Sequence, residues 1–144
     1  MTESDTQTYE WTDSYRLGVP GVDQEHRTFF ALLRAIELSI EERDGLKAHE
    51  ALRNLRLYAE NHFVHEEEFL AGLGYPDLAA HRAEHAEFMR DVAVLEATPG
   101  LPTSLAVRMA RAWIGQHILG TDKRYSRWMD ETGAKGKVYQ PTKA

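Results

Sequence analysis

Apolar residues recur at spacings of three and four through four stretches of the chain, the pattern of helices that each bury one stripe. The first stripe is His26, Phe30, Leu33, Ile36 and Ile40, in a helix that begins at Val22 or Asp23 and closes at the polar turn of residues 42–45. The second is Leu52, Leu55, Ala59, His62, Glu66, Phe69 and Leu73, in a helix over about residues 46–73 stopped by Gly72, Gly74 and Pro76. His81, His85, Phe88, Val92 and Leu95 mark a third helix over about residues 78–96. Residues 98–102, Thr-Pro-Gly-Leu-Pro, then break the chain, and a fourth helix starts at Thr103 or Ser104, both suited to cap it. Its inner face carries Ala106, Ala110, Trp113, His117, Tyr125 and Trp128.

Residues 1–21 have no sustained period and end in Gly18, Val19, Pro20 and Gly21, so they read as an N-terminal arm. Trp11, Tyr15 and Leu17 are expected to fold this arm back onto the helices, since a solvated arm has no use for three large apolar groups. Residues 132–144, with Gly133, Gly136 and Pro141, are expected to form a frayed or loosely docked tail. No strand-like alternation or repeat is present, and 144 residues suit one core. The expectation is an all-α single domain, residues 22–131 forming an antiparallel up-down-up-down four-helix bundle.

Polar residues occupy several slots that the periodicity assigns to the interior. His26, His62, His81, His85 and His117 lie on the stripes of four helices, with Glu66 and Asp122 as inward acids. Any one such histidine is ordinary, but five imidazoles buried together without partners would be costly. His49 and His65 fall off the stripes and read as solvated. The spacing of His117 and Asp122 is irregular, because five residues of α-helix turn about 140° past the starting face. A π-type bulge or wide turn around Gly120 is therefore expected to swing Asp122 inward.

Composition narrows the chemistry. There are no cysteines, which removes disulfides and thiolate metal sites and leaves His and carboxylates as the strong ligands. A net charge of -6 without a Lys/Arg cluster argues against a nucleic-acid partner. No apolar run is long enough to span a membrane, and the polar, acidic N-terminus has no secretory pattern, so a cytoplasmic protein is expected. Five imidazole nitrogens, two bridging carboxylates and a shared oxo or hydroxo group fill eleven of the twelve positions around two octahedral ions. One position stays open, which invites a diatomic ligand. Such ligation suits iron, and ligand type alone also admits manganese or zinc.

The residues at this point resemble the hemerythrins, most closely the bacterial single-domain type. DQEH at 23–26, HFVHEE at 62–67, HRAEH at 81–85 and HILGTD at 117–122 stand in that family's order, and the similarity covers about residues 9–130. The resemblance implies one iron on His81, His85 and His117, a second on His26 and His62, and bridges from Glu66, Asp122 and an oxo or hydroxo group. It implies O2 binding at the iron with two histidines, beside a pocket whose candidate residues are Trp113, Ile114, Gly115 and Ile118, with Phe30, Phe63 or Phe69 nearby. Gly115 stands where the family usually has a bulky aliphatic residue, so a thinner pocket wall and faster autoxidation than in Gly115→Leu are expected. The implied function is carriage, storage or delivery of O2 by a monomer that is not an enzyme, to an O2-consuming enzyme of the same cell. NO or small anions are further ligands. The competing classes are an O2, NO or redox sensor or scavenger, and a di-iron oxidase or peroxidase, against which the absence of any ExxH counts.

Overall fold

The computed structural model describes residues 11–100, 102–136 and 139. Residues 1–10 of the arm, Leu101 of the breaker and Pro141 of the tail lie outside the described residues. Four helical rods form an antiparallel bundle: α1 (Pro20–Glu41), α2 (Gly45–Leu73), α3 (Leu78–Ala97), and a fourth rod made of α4 (Ser104–Gln116), a π segment (His117–Asp122) and α5 (Lys123–Thr132). α1 packs against α2 and α4, and α3 against α2 and α4, so the rods close a ring around one interior. No strand occurs among the described residues.

Local chemistry explains where the rods begin and end. α1 starts at Pro20, two residues before the expected Val22, because proline at the first helical position gives up an N–H that would be unsatisfied there anyway. Asp44 caps α2 by accepting from the Lys47 N–H, and Thr103 caps α4 by accepting from the Ala106 N–H. Gly74 ends α2 at φ 75°, a left-handed conformation that needs no Cβ relief only in glycine.

The buried faces are broader than the expected stripes. Phe29, Phe63 and Leu70 are buried, whereas Ile40, Phe69 and Leu73 are only partly so. On the fourth rod Val107, Ile114, Ile118, Tyr125 and Met129 fill the interior, with Ala106, Ala110, Trp113 and Trp128 at its margin. A bundle helix presents about 100° or more of its circumference to the core, so positions adjacent to a strict stripe are drawn inward.

The π segment falls where the five-residue spacing requires it. The Lys123 N–H reaches back to the Ile118 carbonyl, five residues earlier, and both His117 and Asp122 are buried. Gly120 is exposed and a Cβ there would meet nothing within 4 Å, so glycine is not what the wide turn demands.

Trp11, Tyr15 and Leu17, in the described part of the arm, fold back onto the helices. Leu17 is buried, the Tyr15 ring lies 5.0 Å from Phe30, and the Arg27 guanidinium sits 4.2 Å over Trp11. The Ser126 hydroxyl and Lys123 ammonium donate to the carbonyls of Leu17 and Arg16, and Asp23 accepts from the N–H groups of Leu17 and Gly18. At the other end the expectation of a loose tail fails at Tyr139, which is buried and hydrogen-bonded inside the bundle.

Candidate metal centre

Each rod carries at least one of the five inward imidazoles to the same level of the bundle, and all five are buried to 6% exposure or less. Glu66 and Asp122 are fully buried between them. The two carboxylates divide the histidines into two groups. Glu66 Oε1 lies 2.8 Å from His81 Nε2 and 3.1 Å from His85 Nε2, while its Oε2 faces His62 Nε2 at 3.7 Å. Asp122 Oδ1 lies 3.2 Å from Nε2 of both His81 and His117, while its Oδ2 faces His26 Nε2 at 3.3 Å. One oxygen of each carboxylate is thus turned toward two of the trio His81, His85 and His117, and the other toward one of the pair His26 and His62. The π segment makes this possible, since it brings Asp122 to the face that His117 already occupies.

The electrostatics of this cluster call for positive charge. Burial pulls the His81 imidazolium down, but the adjoining Glu66 and Asp122 carboxylates reverse that and push its pKa up to about 10. Burial likewise opposes charge on His117, yet Asp122 and Glu66 raise it to about 9. Burial and mutual repulsion disfavour ionised Glu66, and the facing imidazoles still hold it well below the usual carboxylate range; Asp122 is held down in the same way, against its burial. Both Asp122 oxygens are buried without a completed hydrogen bond, and His85 Nε2 and His117 Nε2 converge to 3.1 Å. Cations can take the place of the protons that this set would otherwise hold, and imidazole with carboxylate is a donor set fitted to a first-row metal ion.

A second ring of residues holds the imidazoles from behind. His62 Nδ1 faces Glu25 Oε1 at 2.5 Å, His85 Nδ1 faces Glu67 Oε2 at 2.7 Å, and His117 Nδ1 faces Glu84 Oε1 at 2.9 Å. The Thr121 hydroxyl donates to Glu84, and the Tyr125 hydroxyl donates to Glu66 Oε2 at 3.1 Å. These contacts aim Nε2 of each ring at the cluster and raise its basicity. Each of the three acids is the sequence neighbour of an inward residue on its own rod but serves a histidine on the next rod. Among the described residues His26 and His81 have no such partner at Nδ1.

Beside the cluster lies a cavity lined by His26, His62, His117, Phe29, Phe63, Trp113, Ile114 and Ile118. Its free space is about 10 Å³, room for a single water-sized molecule. The Trp113 ring stacks on His117 with centroids 4.7 Å apart, and Phe63 stacks on His85 at 3.9 Å.

The model of the hemerythrin HHE cation binding domain matches residues 17–129, most of the chain. The chain belongs to the hemerythrin family. It is 29% identical over 128 residues to a bacteriohemerythrin of Clostridium acetobutylicum, covering 81% of this chain and 98% of that one. Two myohemerythrins, from Theromyzon tessulatum and Riftia pachyptila, are 28% and 32% identical over 117 residues, covering 81% of this chain and 90% of each relative.

This hemerythrin departs from expectation in the wall of its cavity. Trp113, Ile114 and Ile118 line it, and the neighbouring aromatics are Phe29 and Phe63 rather than Phe30 or Phe69. Gly115 does not line it: a Cβ there would lie 3.4 Å from the Tyr15 hydroxyl, so the arm occupies the space beside the glycine. His49 and His65 take no part in the cluster but are half-buried rather than solvated. The outer acids of this hemerythrin, together with Thr121 and Tyr139, escape stripe analysis, whereas Tyr125 lies on the expected inner face. The one available sign was an acid immediately flanking an inward residue, at Glu25, Glu67 and Glu84.

Proposed function

We propose that this hemerythrin binds O2 reversibly at a non-haem di-iron centre. His81, His85 and His117 would hold one iron, His26 and His62 the other, and Glu66 and Asp122 would bridge them with an oxo or hydroxo group. The observation that carries the reading is the position of the small cavity, which is walled by His117 and by both His26 and His62, the pair whose metal would be left one ligand short. A reduced iron pair supplies the electrons that O2 takes up on binding and returns on release.

The chain's own residues set the character of that binding. Phe29, Phe63, Trp113, Ile114 and Ile118 line the cavity with apolar surface and exclude bulk water. None of them offers a proton with which to cleave an O–O bond, which favours carriage, storage or delivery over turnover. Tyr125 spends its hydroxyl on Glu66. The same open position would accept NO or a small anion.

Optical titration of the anaerobically reduced, iron-loaded protein with O2 tests the proposal. A charge-transfer band that appears on oxygenation and disappears when the gas is removed supports reversible binding. Oxidised product accumulating over several turnovers, or no spectral change with two irons bound, refutes it.

A further inference from the structure

The supporting contacts follow a direction around the bundle: α1 gives Glu25 to His62, α2 gives Glu67 to His85, and α3 gives Glu84 to His117. The tail adds a link before the first of these. The Tyr139 hydroxyl donates to Glu25 Oε1 at 2.6 Å, the same oxygen that faces His62 Nδ1 at 2.5 Å. All three groups are buried, at 5%, 4% and 1% exposure. The Tyr139 ring lies edge-on to Phe69 with centroids 5.3 Å apart, and its seat depends on Gly21, where a Cβ would come within 2.8 Å of the ring.

We infer that Tyr139 is a positioning residue for the metal held by His26 and His62, acting through Glu25. Glu25 is a buried carboxylate that faces the unlike ends of two rings, and it is held by the donors those rings supply. With the Tyr139 hydroxyl in place, the His62 N–H and the phenol share one oxygen. Without it, the Glu25 carboxylate loses the donor that fixes its position, and the His62 ring loses its fixed aim. The tail therefore tunes the half of the centre at which the ligand binds and leaves the three-histidine half alone. The inference rests on the two-metal reading above, and the test separates the two.

The probe is Co(II), titrated anaerobically into metal-free protein against a chelator, with His62→Ala identifying the step that belongs to the two-histidine half. Tyr139→Phe, which keeps the ring against Phe69, is expected to weaken that step about tenfold and leave the other unchanged. Gly21→Ala, which displaces the ring without touching the hydroxyl or a ligand, is expected to do the same. In metal-free protein the His62 Nδ1 proton is expected far downfield in the NMR spectrum and shifted in Tyr139→Phe at unchanged Tm. Both Co(II) steps and the proton resonance matching the parent would overturn the inference. So would equal weakening of both steps with a lowered Tm, which marks the tail as merely structural. A parent that binds fewer than two Co(II) refutes the two-metal reading, while the proton resonance still decides the Tyr139 link.

Discussion

Glu66 and Asp122 are the side chains whose burial is hardest to sustain without positive charge, and in metal-free protein that charge is carried by His81 and His117. A pH dependence follows. An imidazole whose pKa rises from 6.5 to about 10 at His81, or about 9 at His117, contributes stability that is complete below pH 6.5 and lost as the pH climbs through those values. Carboxylates held below 4.5 at Glu66 and 3.8 at Asp122 contribute stability that is present above those values and lost as the pH falls. Metal-free protein should thus show its highest Tm between about pH 4.5 and 6.5 and decline toward pH 10. Metal-loaded protein, in which cations replace the protons, should lack the alkaline decline; thermal scans across pH check both. His62→Ala should reduce bound metal from two ions per chain to one, read by elemental analysis. Six of the seven inward residues were legible because each breaks an apolar stripe, whereas Asp122 lies off the stripe of a regular helix and needs the wide turn to face inward. The acids behind them were not, since sequence adjacency ties Glu25 to His26 while space ties it to His62.

At the scale of the element, the π segment was legible from arithmetic alone, because a five-residue spacing cannot keep two ligands on one face of an α-helix. Its cause was not. Gly120 points to open space, so Gly120→Ala should preserve metal stoichiometry and stabilise the protein by about 0.5–1 kcal/mol, measured by denaturant unfolding. A large loss instead would show that the wide turn needs glycine's freedom. Asp44→Ala removes the cap of α2 and should cost about 1 kcal/mol with metal content unchanged. The start of α1 was misjudged because Pro20 and Gly21 read as breakers, whereas proline at a first turn initiates. Gly21 is required for a different reason, the close approach of Tyr139, which no local pattern reveals.

For the molecule as a whole, metal and fold are expected to be linked, since ligands drawn from every rod close the ring only when their charges are balanced. A metal at a hundred times its dissociation constant adds about 2.7 kcal/mol to stability, so chelation should lower Tm measurably. An unchanged Tm after complete metal removal would show that the protons serve equally well. Cavity size is also a property of the whole, set by α1, α2, α4 and the π segment together. Ile114→Ala should cost about 2–4 kcal/mol and speed autoxidation by admitting water, followed by the decay of the oxygenated spectrum. Gly115→Leu, by contrast, would press on Tyr15 and act through the arm. The bundle itself could be read from four stripes and three breakers and the docking of the arm from its large apolar residues, but the docking of Tyr139 depends on contacts with Glu25, Phe69 and Gly21 that carry no periodicity.

The hand-over of carboxylates from one rod to the next has a practical corollary for anyone recombining this scaffold with its relatives. A crossover placed in a loop, the usual safe choice, would separate a histidine from the acid that orients it. Chimaeras should instead inherit seams, the facing halves of two neighbouring rods, as indivisible units.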